Sequence, residues 1–258
     1  MNKAKKPSAK EKRRQIVEVR QNRRLKAVVV ILLIAIAGEA LYIFAKSDTF
    51  AIRKITVTGN RHVVTKQIVK MGRLSLNTNI FDFSAPQVGD RIEGIPWIKD
   101  AECVRRLPLT VAIVVREREQ RATLAQAGRF YLLDKETYIL QELGAAPADF
   151  PVITEAPFVE GLLPGVKVGS PAVRNAVECI VALDASVTSD IAVVSAPTID
   201  GLALKLKSGP VIMYGKTEMT DQKNYAIKVI LDQATKEGRT WQYIDVRVPS
   251  NPVAKAAA

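Results

Sequence analysis

Histidine is almost missing from this chain: His62 is the only one in 258 residues. That excludes a triad or metal centre built on several histidines. Cysteine is nearly as scarce. Cys103 and Cys179 are the only two, so there is no disulfide framework, and one bridge or two buried thiols are both open. The chain also lacks CxxC, HExxH, GxSxG and a Gly-rich phosphate loop. The common nucleotide, zinc-hydrolase and serine-hydrolase signatures are therefore absent. Asp82, Asp90, Glu117, Glu119, Asp134 and Asp245 are scattered and form no evident acid–base pair. No internal repeat is visible. A catalytic role is the weakest of the classes to consider.

What the chain has in excess is positive charge, a net +12. Eleven Lys/Arg and two Glu fall in residues 1–26, so that stretch carries nine of the twelve charges. No aromatic residue interleaves them, which favours a topogenic tail over a nucleic-acid arm. The tail is expected to be disordered or partly helical. Next comes the one long apolar run, Ala27 to Ala45, broken only by Gly38 and the single charge of Glu39. At about 1.5 Å per residue it spans roughly 28 Å, close to the hydrocarbon thickness of a bilayer. Ala35-Ile36-Ala37 has the form of a signal-peptidase site. The long basic stretch before it and the continuation to Ala45 favour an uncleaved anchor, with the N-terminus cytoplasmic and the rest outside. Glu39 would lie roughly 9 Å from the outer helix end. It either snorkels to the interface or faces a partner helix, and no GxxxG motif supports the second.

Residues 50–118 read as a small domain. Phe50 to Thr58 is a strand ended by Gly59-Asn60. Val64, Ile68 and Met71 fall at helical spacing, with Thr65 as a cap and Gly72 as a stop. Ser84-Ala85-Pro86-Gln87 opens a second helix that turns Val88 and Ile92 inward. Ile98 to Arg106 and Leu109 to Val115 are strands. The order is β-α-α-β-β, with both helices on one face of a three-stranded sheet.

These residues resemble the POTRA domain of the FtsQ/DivIB family of bacterial cell-division proteins. The resemblance is carried by Val57-Thr58-Gly59-Asn60, Asn79-Ile80-Phe81, Ile95-Pro96-Trp97-Ile98, Val104-Arg105-Arg106-Leu107-Pro108 and Val115-Arg116-Glu117-Arg118. The order of basic tail, single span and domain fits as well. The family usually has proline two residues after Glu117-Arg118, where this chain has Gln120.

Residues 119–248 read as a second, mixed domain. Phe130 to Asp134 and Thr137 to Leu140 form a hairpin, and Pro151-Val152-Ile153 is a short strand. Residues 156–169 form a loop. Ser170-Pro171 caps a helix with Val173, Val177, Ile180 and Val181 inward. Strands follow at 191–195, 202–206 and 210–214, then a helix over 219–236 stopped by Gly238. The last strand runs from Trp241 to Val248, with Ile244, Val246 and Val248 on one face and Tyr243, Asp245 and Arg247 on the other. Residues 249–258 are a tail. The hairpin ending in Asp134 and the strand Tyr243-Ile244-Asp245-Val246-Arg247 also resemble the family.

The fold class is α+β: a single N-terminal transmembrane helix, a POTRA domain and a mixed β-sheet domain with helices. The resemblance implies a non-enzymatic scaffold of the division machinery in the inner membrane, enriched at the septum. It implies FtsB-like and FtsL-like partners received near the last strand, at Tyr243, Asp245, Arg247, Pro249 and Val253. No cofactor, metal, nucleic acid or small-molecule substrate is implied. The charge run Arg116-Glu117-Arg118-Glu119 is expected to be a solvated or interdomain salt-bridge network. The alternative function is a POTRA-bearing chaperone or assembly factor for membrane or secreted polypeptides.

Overall fold

The apolar run is continuous with what precedes it. In the computed structural model, which describes residues 9–257 with side chains from residue 25, one helix α1 covers Ala9–Ala45. Residues 9–26 are thus the start of the same helix, the helical one of the two expectations for the tail, and the first eight lie outside the described residues. Leu25–Ala45 is long and apolar enough to cross a membrane and is bare of protein contacts over nearly its whole length. Ala27, Gly38 and Glu39 are exposed along it, and Ala45 closes it.

A short 3-10 turn, Asp48–Phe50, leads into β1 (Lys54–Thr58). Helices α2 (Thr65–Gly72) and α3 (Ala85–Glu93) and strands β2 (Ile98–Arg106) and β3 (Thr110–Glu117) follow. The sheet order is β1-β3-β2. Val88 and Ile92 are fully buried on α3. Helix α2 comes close enough that a Cβ on Gly72 would meet both of them, at 3.1–3.5 Å. Gly89 serves the other side of α3: a Cβ there would stand 2.6 Å from the carbonyl oxygen of Ala101 in β2. Thr65 does not cap α2. Val64 holds that position with no side-chain bond, and Met71 is exposed.

The second sheet has nine strands in the order β12-β11-β10-β9-β8-β7-β4-β5-β6. These are β4 (Gln120–Gln126), β5 (Arg129–Asp134), β6 (Ile139–Leu143), β7 (Val152–Thr154), β8 (Ile191–Ser195), β9 (Ala203–Leu206), β10 (Val211–Met213), β11 (Trp241–Asp245) and β12 (Val253–Ala256). The β4–β7, β7–β8 and β10–β11 pairs are parallel and the rest antiparallel. Helices α4 (Pro171–Ala182), α5 (Ala185–Asp190) and α6 (Thr220–Glu237) contribute to one core. It joins Val173, Val177 and Ile180 of α4 and Ile227 of α6 to Leu124, Ile153, Val194, Leu204, Ile212 and Ile244 of the sheet. Ser170 caps α4 as expected, accepting from Val173 N. Val181 is exposed rather than inward.

Two strands depart from the sequence expectation. β4 begins at Gln120 and was not foreseen. Ala122 and Leu124 face the core, and Thr123 on the opposite face is buried as well, so both faces of β4 are covered here and the alternation between a wet and a dry face is lost. The residues assigned to a C-terminal tail form β12, so Trp241 to Val248 is not the last strand. β11 ends at Asp245, and Val248 beyond it is 61% exposed instead of facing the core.

The chain divides into two compact units. One is the chain through Thr56 with Ser75–Ser84 and Val104–Ala112. The other is Val57–Leu74, Ala85–Cys103 and everything from Ile113 on.

Candidate partner-binding edge

The five residues singled out at the C-terminal end meet on one edge of the large sheet. β11 pairs with β12 through Asp245–Val253, Ile244–Ala254 and Tyr243–Lys255, with an irregularity between Trp241 and Tyr243. The amide of Ala257 adds a bond to Thr240 O at 2.9 Å. β12 is the end strand, so its outward N–H and C=O groups form an open edge. Pro252 stands just before it and Pro249 in the connector, outside the paired stretch where proline would remove a ladder bond.

Asp245 and Arg247 are partners of each other. Arg247 Nη2 donates to Asp245 Oδ2 at 2.6 Å and Nε to Oδ1 at 3.0 Å, while the Arg247 amide donates to Oδ1 at 3.0 Å. The Arg247 side chain, with its amide, holds the Asp245 carboxyl below its ordinary range. This closed turn explains why the strand stops at Asp245. Tyr243 is half-buried, whereas Val253 is exposed at the start of β12.

Beside this edge lies an apolar groove of about 490 Å³, lined by Tyr225, Ala226, Val229 and Ile230 of α6 and by Pro249 and Pro252. Trp241 fixes one wall, its indole Nε1 donating to Ile230 O at 3.2 Å. Lys223, buried on α6, fixes the segment before that helix. Its ammonium donates to Tyr214 O at 2.9 Å and Lys216 O at 2.7 Å and lies 4.9 Å from the Tyr214 ring centre. Burial pushes the Lys223 pKa down, and the two carbonyls keep the buried ammonium hydrogen-bonded. Ala254, Lys255 and Ala256 of this edge, and Tyr225 and Val229 of the groove, are residues of the candidate site that sequence reasoning missed. An Ala-Lys-Ala end carries almost no strand propensity, and the exposed face of α6 gave no signal of a neighbour.

The charge run at the end of β3 splits in two. Arg116 pairs with Asp100 and Glu119 with Arg121, all exposed. Glu117 and Arg118 turn inward. Glu117 accepts the amides of Arg61, His62 and Val63 at 2.8–3.0 Å. Arg118 bonds Asp134 at 2.7 Å, reaches Glu136 at 3.4 Å and lies 3.9 Å from the Tyr138 ring centre. Lys99 also pairs with Glu136. These carboxylates are consumed by cations and amides, an arrangement that orders chain segments. No group of three metal-ligating side chains occurs among the described residues. Both cysteines are buried. Cys179 is a thiol whose pKa burial pushes up.

Comparison with known proteins places the chain among cell-division proteins. A family model described as the POTRA domain, FtsQ-type, matches residues 50–118. The cell division protein FtsQ of Corynebacterium glutamicum is 28% identical over 213 residues, covering 83% of this chain and 90% of that protein. The cell division protein FtsQ of Mycobacterium leprae is 26% identical over 237 residues, covering 90% of this chain and 64% of that protein. The cell division protein DivIB of Clostridium tetani is 24% identical over 220 residues, covering 81% and 80%.

Proposed function

The chain belongs to the FtsQ/DivIB family of bacterial cell-division proteins, and from that premise we propose that it is a non-enzymatic scaffold of the division machinery. It is anchored by α1 and holds FtsB-like and FtsL-like proteins through the domains that follow, linking early and late division proteins. The basic residues before the span favour a cytoplasmic N-terminus, with both folded domains outside the membrane. In this reading residues 50–118 and 119–248 are the two working domains, and the protein gathers at the septum.

One observation carries the reading: β12 is an open sheet edge, and the residue that leads into it, Pro252, lines the α6 groove. A strand edge offers main-chain hydrogen bonds to an incoming extended segment, and an adjoining apolar groove receives side chains that select it. Tyr243, Asp245 and Arg247 shape the edge from within, while Pro249 and Val253 form its rim. The Asp245–Arg247 pair is closed on itself, so its role is to set the turn leading to β12 more than to offer free charge.

A photo-crosslinking residue at Val253 or Lys255 in dividing cells tests this. Capture of small single-span division proteins from both positions, and loss of septation on depletion, is the expected outcome. Normal septation on depletion, or capture only from positions far from β12, would reject it.

A further inference from the structure

The end of the span is tied to one small set of residues in the first compact unit. Asn79 Nδ2 donates to Ala45 O at 2.8 Å and reaches Ser47 O at 3.5 Å. Lys46 pairs with Asp82. The Phe50 ring packs edge-on against Phe44 and tilted against Phe81, each at 5.3 Å between centroids. Because Ala45 ends the apolar segment, the loop Ser75–Ser84 is bonded to the helix where it leaves the bilayer. Arg105 carries the connection to the β2–β3 turn: Nε donates to Ile80 O at 2.8 Å, and Nη2 donates to Phe83 O. The Arg53 amide donates to Leu109 O at 2.8 Å on the far side of that turn.

This rim has an unusual surface for a place beside a membrane exit. Leu76 is 56% exposed, Phe81 45% and Leu107 59%. All three lie on loops rather than in strands or helices. In the parts of the unit that follow the span, five cationic residues, Lys46, Arg53, Lys54, Arg105 and Arg106, stand against Asp48 and Asp82. Lys46 is paired and Arg105 is used on carbonyls, which leaves Arg53, Lys54 and Arg106 exposed.

We propose that this rim is a lipid-binding surface. Leu76, Phe81 and Leu107 enter the headgroup region of the leaflet from which α1 emerges, and Arg53, Lys54 and Arg106 meet anionic lipid phosphates. Loop-borne apolar side chains flanked by cations suit that interface, where the stems lie in the acyl boundary and the charges stay at phosphate level. A lipid surface is favoured over a protein because the rim is bonded to the last residue of the span. It therefore faces headgroups whatever else is present. The anchor is then a helix, a loop and a turn acting together.

The test uses the full chain in nanodiscs of phosphatidylcholine and phosphatidylglycerol carrying brominated acyl chains. Leu76→Trp and Leu107→Trp are compared with Leu163→Trp, an exposed site in the second unit, each against the parent chain with Trp97 and Trp241. Bromolipid quenching at 76 and 107 should be at least twofold stronger than at 163. It should rise with the phosphatidylglycerol fraction and fall when Arg53→Glu and Arg106→Glu are combined. Circular dichroism of each variant checks that the fold is kept. Equal quenching at all three sites overturns the proposal, as does protection of 76 and 107 only after a partner protein is added. Quenching indifferent to lipid charge and to the charge reversal overturns the assignment to anionic headgroups.

Discussion

Glu117 holds His62 twice, accepting its backbone amide at 2.8 Å and approaching its ring Nδ1 at 3.1 Å. The amides of Arg61 and Val63 complete a three-donor cradle around a side chain that is 6% exposed. Burial opposes the charge. The His62, Val63 and Arg61 amides outweigh it, so the carboxyl stays below its ordinary range. Its folded pKa is therefore lower than its unfolded one. The stabilisation is complete above the unfolded carboxylate range and is lost as pH falls through the folded value. Glu117→Gln turns one acceptor into a donor facing amide hydrogens. It should lower stability by about 1–3 kcal/mol near neutral pH. Urea unfolding across the acid range should show the gap between parent and variant closing as pH falls. A gap that stays constant with pH would show that the carboxylate charge is not what holds the turn.

Arg118 should be the more sensitive neighbour. Its guanidinium is nearly enclosed between Asp134, Glu136 and the face of Tyr138. Arg118→Ala leaves Asp134, itself buried, without a counter-charge, and a loss of about 3–5 kcal/mol is expected. Asp134 keeps the amides of Glu136 and Tyr138, which bond its Oδ1 at 2.9 and 2.8 Å. The double change Arg118→Ala/Asp134→Asn should therefore cost less than the sum of the single ones. Arg118→Lys should restore little, since one ammonium cannot both bond the carboxylates and lie flat on the ring. Denaturant midpoints of the parent and the four variants decide the matter, and additive losses would count against a coupled pair.

The sequence disclosed the elements whose signals are local. Ser170 before Pro171 predicts a cap and makes one, and Val88 and Ile92 at helical spacing are buried as expected. It disclosed poorly what depends on distant neighbours. Ala122-Thr123-Leu124 lacks an alternating pattern because both faces of β4 are covered there, Ala122 and Leu124 on the core side and Thr123 on the other. Val253 to Ala256 becomes a strand only because β11 supplies the hydrogen bonds. Glu117 and Arg118 were visible as charges in a run. Their opposite fates follow from partners in the 61–63 turn and in the β5–β6 hairpin, which no local pattern announces. The same holds for the candidate site: β11 was legible, while the strand covering it and the α6 groove beside it were not.

Gly59 and Gly128 separate close approach from backbone strain. Both have positive φ, +89° and +74°. A Cβ on Gly59 would stand 1.9 Å from Val115 O, whereas one on Gly128 meets nothing within 4 Å. Gly128→Ala should therefore cost about 1 kcal/mol, the left-handed penalty alone. Gly59→Ala must also displace β3 and should cost more than about 3 kcal/mol. Thermal unfolding of the two variants compares them directly. Equal losses would mean that the β3 contact yields at no cost.

Removal of residues 252–258 separates the edge from the fold. β12 contributes few core atoms: Ala254 is its packed residue, and Val253, Lys255 and Ala256 are exposed. The truncated chain loses a handful of ladder bonds and should keep its fold, with stability lower by roughly 1–3 kcal/mol. It also bares β11, whose Trp241, Tyr243 and Asp245 then form the sheet edge. If partners add to β12, capture of division proteins in cells should be lost while the truncated chain still accumulates in the membrane. If β12 merely occupies a place that a partner strand takes on β11, truncation should strengthen capture instead. The direction of that change therefore distinguishes a β12 that receives the partner from one the partner displaces.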